Sequence, residues 1–163
     1  MSFVTAYLDS ATVHAHLNVA EDQATTKQWE ECTPKVGVGF ALDMMKPLDS
    51  YVTDLLDNND IRVLMYAGDA DFVCNWHGCL AWMLAFDWQH KDQFNASEER
   101  AFVVTQAANK NAKEETTTNA GTVRALKTKL TFVRVFNSGH MMPRDQPAVA
   151  SEMLNRFLRN EEL

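Results

Sequence analysis

The sequence predicts an α/β fold, and three observations carry that prediction. Ile61-Arg62-Val63-Leu64-Met65-Tyr66-Ala67 is a nearly continuous apolar run of strand length, suited to a strand covered on both faces in a parallel sheet. Patterns of helical spacing stand on both sides of it. A second strand-like run, Leu130 to Phe136, leads into another helical pattern, and helix, strand, loop, helix is the order of α/β chains.

Taken in order, Asp9 or Ser10 can cap a short helix bearing Ala11, Val13, Ala15 and Leu17. Pro47 suits the first turn of a helix, since its missing N–H would be unpaired there, and Leu48, Tyr51, Val52, Leu55 and Leu56 make one apolar face. Asn58-Asn59-Asp60 stops that helix before the first strand, and Gly68 ends the strand. Helical spacing resumes from Asn75 to Phe86 through Trp76, Leu80, Met83 and Leu84. Residues 105–122, rich in Thr, Asn, Ala, Lys and Glu, lack apolar periodicity and read as a long surface excursion. Thr122 to Leu126 and Leu130 to Phe136 read as strands joined by the polar turn Lys127-Thr128-Lys129. A last helix from Asp145 carries Pro147 in its first turn and Ala150, Met153, Leu154, Phe157 and Leu158 on one face.

Composition bounds the functions available. With 163 residues, 46% hydrophobic and 10% aromatic, the chain can fill a core. A net charge of −7 supplies no bulk basic surface for phosphates, so neither nucleic acid nor an anionic membrane is an expected partner. The charge is uneven: residues 1–75 hold 12 acidic and 4 basic residues, a net −8, while 76–163 hold 10 and 11. No Lys or Arg precedes Lys27 and no apolar run reaches membrane-spanning length, so no targeting signal or membrane anchor is read in this chain. Cys32, Cys74 and Cys79 are an odd set, leaving at least one thiol free or paired outside the chain. Asn95-Ala96-Ser97 fits the glycosylation sequon.

Two loops are candidates for chemistry because each follows a strand, and α/β sheets gather ligands beyond the carboxyl ends of their strands. One is Gly68-Asp69-Ala70-Asp71-Phe72-Val73-Cys74-Asn75; the other is Gly139-His140-Met141-Met142-Pro143. A carboxylate from the first could fix the tautomer of an imidazole from the second and free its other nitrogen to act as a base. Helix capping by the Asp residues and a surface turn for the His are the competing assignments.

Tyr66 to Trp76 resembles the acid loop of serine carboxypeptidases, the group that contains carboxypeptidase Y and lysosomal cathepsin A. Asn137-Ser138-Gly139-His140-Met141-Met142-Pro143 resembles their histidine loop. Supporting likeness runs through Tyr7-Leu8, Met45-Lys46-Pro47, Asp145-Gln146-Pro147 and Phe157-Leu158, so it spans nearly the whole chain in order. The resemblance implies the C-terminal part of an α/β-hydrolase fold, a parallel-rich sheet with covering helices. Residues 1–163 would form the C-terminal segment of the catalytic domain. It further implies a peptidase that releases C-terminal amino acids through an acyl-enzyme, with Asp71 as triad acid and His140 as general base. Asp69 falls at a position outside the triad and is assigned to loop structure. Met141 matches a residue lining the pocket for the departing amino acid, and Cys74 matches a free cysteine beside the active site. Peptides with a free C-terminus are the implied substrates, and a lysosomal, vacuolar or secreted location is implied with them.

The departures from the family pattern are specific. A nucleophile elbow needs Gly-x-Ser-x-Gly, and none of Ser2, Ser10, Ser50, Ser97, Ser138 and Ser151 has glycine two residues before and two after. The implied nucleophile therefore belongs to an upstream segment or a separate large chain. The resemblance likewise implies that Cys32 bonds to a cysteine outside the chain; the state of Cys79 is left open. Acyltransferases or lyases of the same family are the alternative activity, and an inactive binding or assembly chain is the non-enzymatic alternative. A strand at 61–67 without its sheet neighbour would expose an apolar edge, so a partner chain or homo-oligomerisation is expected.

Other features read as structural. His14 and His16, two apart in a helix, do not face each other. His77 and His90 with Asp69, Asp71, Asp87 and Asp92 show no zinc or calcium spacing, so neither metal nor cofactor is expected. Trp76, Trp82, Phe86 and Trp88 read as core packing.

Overall fold

The computed structural model describes residues 3–19, 28–59, 61–107 and 115–163, and these divide into two compact units, Met1–Pro47 and Leu48–Leu163. Among its described residues the first unit holds three short helices: α1 (Phe3–Leu8), α2 (Ala11–His16) and α3 (Pro34–Gly39). Ser10 caps α2 by accepting the Val13 N–H at 3.3 Å, the role expected of an N-cap hydroxyl. The Asp9 carboxylate accepts the Trp29 N–H at 2.7 Å.

The second unit contains α4 (Asp49–Asp57), β1 (Val63–Gly68), α5 (Trp76–Ala85), α6 (Lys91–Ala96), β2 (Arg100–Ala107), β3 (Glu115–Leu126), β4 (Leu130–Val135), α7 (Met142–Asp145) and α8 (Pro147–Arg159). Its four-stranded sheet has the order β1-β4-β3-β2. The β1–β4 pairing is parallel, and the β4–β3 and β3–β2 pairings are antiparallel. Short connections between successive strands permit only antiparallel pairing, so the expected parallel character is confined to β1 and β4.

Strand β4 organises two cores because its side chains alternate between faces. Leu130 and Phe132 join Leu56, Met83, Phe86, Trp88 and Phe94 beneath α4, α5 and α6. Val133 and Val135 join Phe102, Val104, Val123, Met142, Val149 and Met153 beneath α7 and α8. Helices thus cover both faces, the arrangement the α/β reading requires.

Several expectations are corrected here. The stretch 105–122 is no loop where it is described: β2 and β3 form a hairpin, with residues 108–114 outside the described set. Phe102 and Val104 point inward with no exposure, and a register shift between Phe102 and Val103 turns Ala120 into the core. Thr116 to Asn119 are exposed and lack apolar alternation, so pairing with β2 makes them a strand where their own pattern does not. Pro47 precedes α4 rather than entering it, since that helix is capped at Leu48. Of the expected α4 face only Leu56 is buried, with Val52 packed partly against the same core. On α8 the core takes Val149 and Met153, while Leu154 and Leu158 stay exposed. Strand β1 is packed on both faces, Leu64 against one core and Val63 and Met65 against the other, but among the described residues it lies at the sheet edge with Tyr66 exposed.

Candidate active site

The parallel register sets Gly68 opposite Val135, which brings the carboxyl ends of β1 and β4 side by side. The two candidate loops begin there. The Asp69 N–H donates to the Val135 carbonyl at 2.9 Å and the Ala70 N–H to the Ser138 carbonyl at 3.0 Å. The Asp69 carboxylate accepts the Ser138 N–H at 3.3 Å, so this residue stitches one loop to the other. A Cβ on Gly68 would collide with the carbonyl oxygens of Ser138 and Gly139, so the approach of the loops requires glycine there. Asn137 opens the second loop at φ 55°, a left-handed conformation that Asn tolerates better than most residues.

Within this frame Asp71 and His140 meet: Nδ1 of the imidazole lies 3.0 Å from Oδ2 of the carboxylate. Oδ1 of Asp71 accepts the N–H groups of Val73 at 2.9 Å and Cys74 at 3.0 Å. The Asp71 side chain is only 5% exposed and the His140 side chain 57%. Burial pushes the Asp71 carboxyl upward, but the Cys74 N–H, the His140 ring, the Val73 N–H and the His140 charge together hold it below the ordinary value of 3.8. A buried, oriented carboxylate on one ring nitrogen leaves the other nitrogen to face an incoming group.

The surroundings of the pair are apolar and open. Phe72 and Val73 are exposed beside Asp71, and Met141 is exposed beside His140. Cys74 is also exposed, whereas Cys79 is half-buried with its thiol 3.7 Å from the Cys74 carbonyl oxygen. Burial and the neighbouring Cys74 and Asp71 charges raise the Cys79 thiol above its ordinary value. Ser138 is buried, and its hydroxyl donates to the Val135 carbonyl at 3.1 Å. Cys32 is an exposed free thiol in this chain.

Two residues support the loops in ways that sequence patterns did not assign. Arg134 sits on β4 with its guanidinium 4.0 Å from the ring centroid of Trp76 and 5.2 Å from that of Phe136. Trp76 is the first residue of α5, directly after the acid loop, and Asn75 caps that helix through the Gly78 N–H at 2.8 Å. A cation within the largely apolar β4 run was the available signal. Asp145 accepts the Gly139 N–H at 2.8 Å and so restrains the residue just before His140.

A groove of about 420 Å³ runs between β1 and α8, lined by Leu64, Tyr66, Met142, Pro143, Pro147 and Leu154 among others. None of Asp71, Cys74, His140 or Met141 lines it, so the groove is separate from the polar pair.

Comparison with known proteins identifies the family of the chain. The family model described as serine carboxypeptidase matches residues 1–160. A carboxypeptidase Y homolog A from Coccidioides posadasii is 34% identical over 163 residues, covering 99% of this chain and 28% of the relative. A serine carboxypeptidase-like protein from Oryza sativa subsp. japonica is 36% identical over 157 residues, covering 96% of this chain and 32% of the relative. Kex1(Δ)p, a prohormone-processing carboxypeptidase from Saccharomyces cerevisiae, superposes with a TM-score of 0.64 at 24% identity. It covers 97% of this chain and 31% of its own, and the likeness shows the shared α/β-hydrolase fold. The chain therefore spans about 30% of the length of the relatives it matches, and on its near-complete match it belongs to the serine carboxypeptidase family.

Proposed function

We propose that this chain supplies the acid and base of a serine-type carboxypeptidase that releases C-terminal amino acids from peptides. The serine comes from an upstream segment or a partner chain. The carrying observation is the 3.0 Å contact between His140 Nδ1 and a buried Asp71 carboxylate whose other oxygen is held by two N–H groups. Asp71 keeps the imidazole proton on Nδ1 and offsets the charge that develops on the ring. Nε2 of His140 then takes the proton from the serine hydroxyl as that oxygen attacks the scissile carbonyl, and returns it to the leaving amine. A water molecule, deprotonated by the same nitrogen, releases the peptide from the acyl-enzyme. Met141 and Cys74, exposed beside the pair, form the near wall for the departing residue.

The exposed apolar residues Phe72, Val73, Tyr66, Leu154 and Leu158 support a covering partner, since patches of this kind mark contact surfaces. The Ser-bearing polypeptide is that partner, and a second copy of this chain takes its place when it is missing. A lysosomal, vacuolar or secreted location follows from the same reading.

The test is reconstitution with the Ser-bearing polypeptide, followed by assay on a peptide with a free C-terminus. Release of the terminal residue, lost on His140→Ala, supports the proposal; retention of activity within tenfold of wild type overturns it. Transfer of the acyl group to an added acceptor with no hydrolysis would assign the acyltransferase alternative. Fluorophosphonate labelling of the chain alone at one of its six serines would refute a nucleophile supplied from outside.

A further inference from the structure

We propose that Asp71, Cys74 and His140 form an inhibitory site for a zinc-class divalent cation, Zn²⁺ or Cd²⁺. One donor atom from each of the three side chains lies within 4.8 Å of the other two. The set combines a sulfur, an imidazole nitrogen and a carboxylate oxygen, all of which zinc accepts, and three protein ligands leave a fourth position for water. Bonds of about 2.0–2.3 Å in a tetrahedron set ligand atoms roughly 3.3–3.8 Å apart, so the Cys74 sulfur moves inward by about 1 Å while the Nδ1–Oδ2 pair, 3.0 Å apart, opens slightly.

The side chains are arranged to allow that shift. Asp71 is buried and anchored, because its Oδ1 is held by the Val73 and Cys74 N–H groups while Oδ2 is directed at the imidazole. Such outer hydrogen bonds orient a carboxylate ligand. Cys74 is exposed, and the exposed His140 already presents Nδ1 to Oδ2 at 3.0 Å. Asp71 and Cys74 are held three residues apart on one loop, and His140 arrives from the other.

The ion would occupy the place of the proton between Nδ1 and Oδ2. One proton leaves with binding, from the Cys74 thiol, and the imidazole proton moves from Nδ1 to Nε2. The resulting carboxylate and thiolate balance the dication. With Nε2 protonated, His140 cannot accept a proton from a hydroxyl, and this inhibition rests on the function proposed above. The metal binding itself does not.

The test titrates the 163-residue chain with Cd²⁺, followed by its thiolate charge-transfer absorption, and with Zn²⁺ in a calorimeter. One ion per chain is expected. Cys74→Ala abolishes the cadmium–thiolate band, and His140→Ala weakens Zn²⁺ binding at least tenfold. Cys79→Ala leaves both unchanged. Because Cys74 is exposed, circular dichroism of Cys74→Ala should match wild type, which separates lost ligation from lost fold. A band that persists in Cys74→Ala, or Zn²⁺ affinity equal to wild type in His140→Ala, overturns the site. Absent metal binding alongside a carboxypeptidase that needs His140 sinks this proposal alone. Metal binding without such activity sinks only the function.

Discussion

His140 Nδ1 and Asp71 Oδ2 stand 3.0 Å apart although 69 residues separate them in the chain. The contact exists because β1 and β4 run parallel and adjacent, so the loops leaving them emerge at the same end of the sheet.

Replacing Asp71 by Asn tests that contact directly. The amide preserves shape but presents an N–H where the carboxylate accepted one, which favours the wrong imidazole tautomer. In the reconstituted enzyme kcat should fall by about 10⁴-fold. Steady-state kinetics on a peptide substrate would measure it, with KM changed far less than kcat.

The depressed Asp71 carboxyl also makes stability depend on pH. Its folded pKa lies below the ordinary 3.8, so the charged form is favoured by folding. That contribution is fully present above the unfolded value and is lost as pH falls through the lower folded value. Denaturant titrations of the metal-free chain from pH 6 down to about pH 2 should show wild type losing stability below roughly pH 4. Asp71→Asn, which does not titrate, should lack that component of the slope.

Arg134 tests the support beneath the acid loop. With its guanidinium 4.0 Å from the Trp76 ring, Arg134→Met should destabilise the fold by about 1–2 kcal/mol in urea denaturation. Arg134→Lys keeps the cation and should recover part of the loss.

Gly68→Ala puts a methyl group against the Ser138 and Gly139 carbonyl oxygens, which are backbone and have little room to yield. The expected cost is about 1–3 kcal/mol. The loops should also separate, and the downfield Nδ1–H proton resonance of His140 should weaken or vanish in NMR spectra.

Thiol reactivity should differ by site. Burial and the nearby Cys74 and Asp71 charges raise the Cys79 thiol, so at pH 8 it holds less of the nucleophilic thiolate. Iodoacetamide followed by peptide mapping should find Cys79 modified more slowly than the exposed Cys32.

Much of the fold was legible locally. The apolar runs 61–67 and 130–136 became β1 and β4 within two residues at each end, and Asn75 caps α5 where the pattern placed the helix start. The hairpin was not legible, because Thr116 to Asn119 bury nothing and become a strand only through hydrogen bonds to β2. Helix faces were misread for a related reason. Leu154 and Leu158 share helical spacing with Met153, but only the packing of α8 on the sheet selects Val149 and Met153 for the core.

The order of residues by itself determined the family, the α/β class, and the two loops in which an acid and a base would be found, since these rest on local identity and spacing. It placed Asp69 and Asp71 two residues apart but could not separate their geometry. The tertiary structure decided that, by turning Asp69 onto the Ser138 backbone and Asp71 onto the His140 ring. It also brought Cys74 into the same cluster and slid Arg134 under Trp76. The physical reason is that side-chain distances across 60 or 70 residues are set by strand pairing and close packing, which no local pattern encodes.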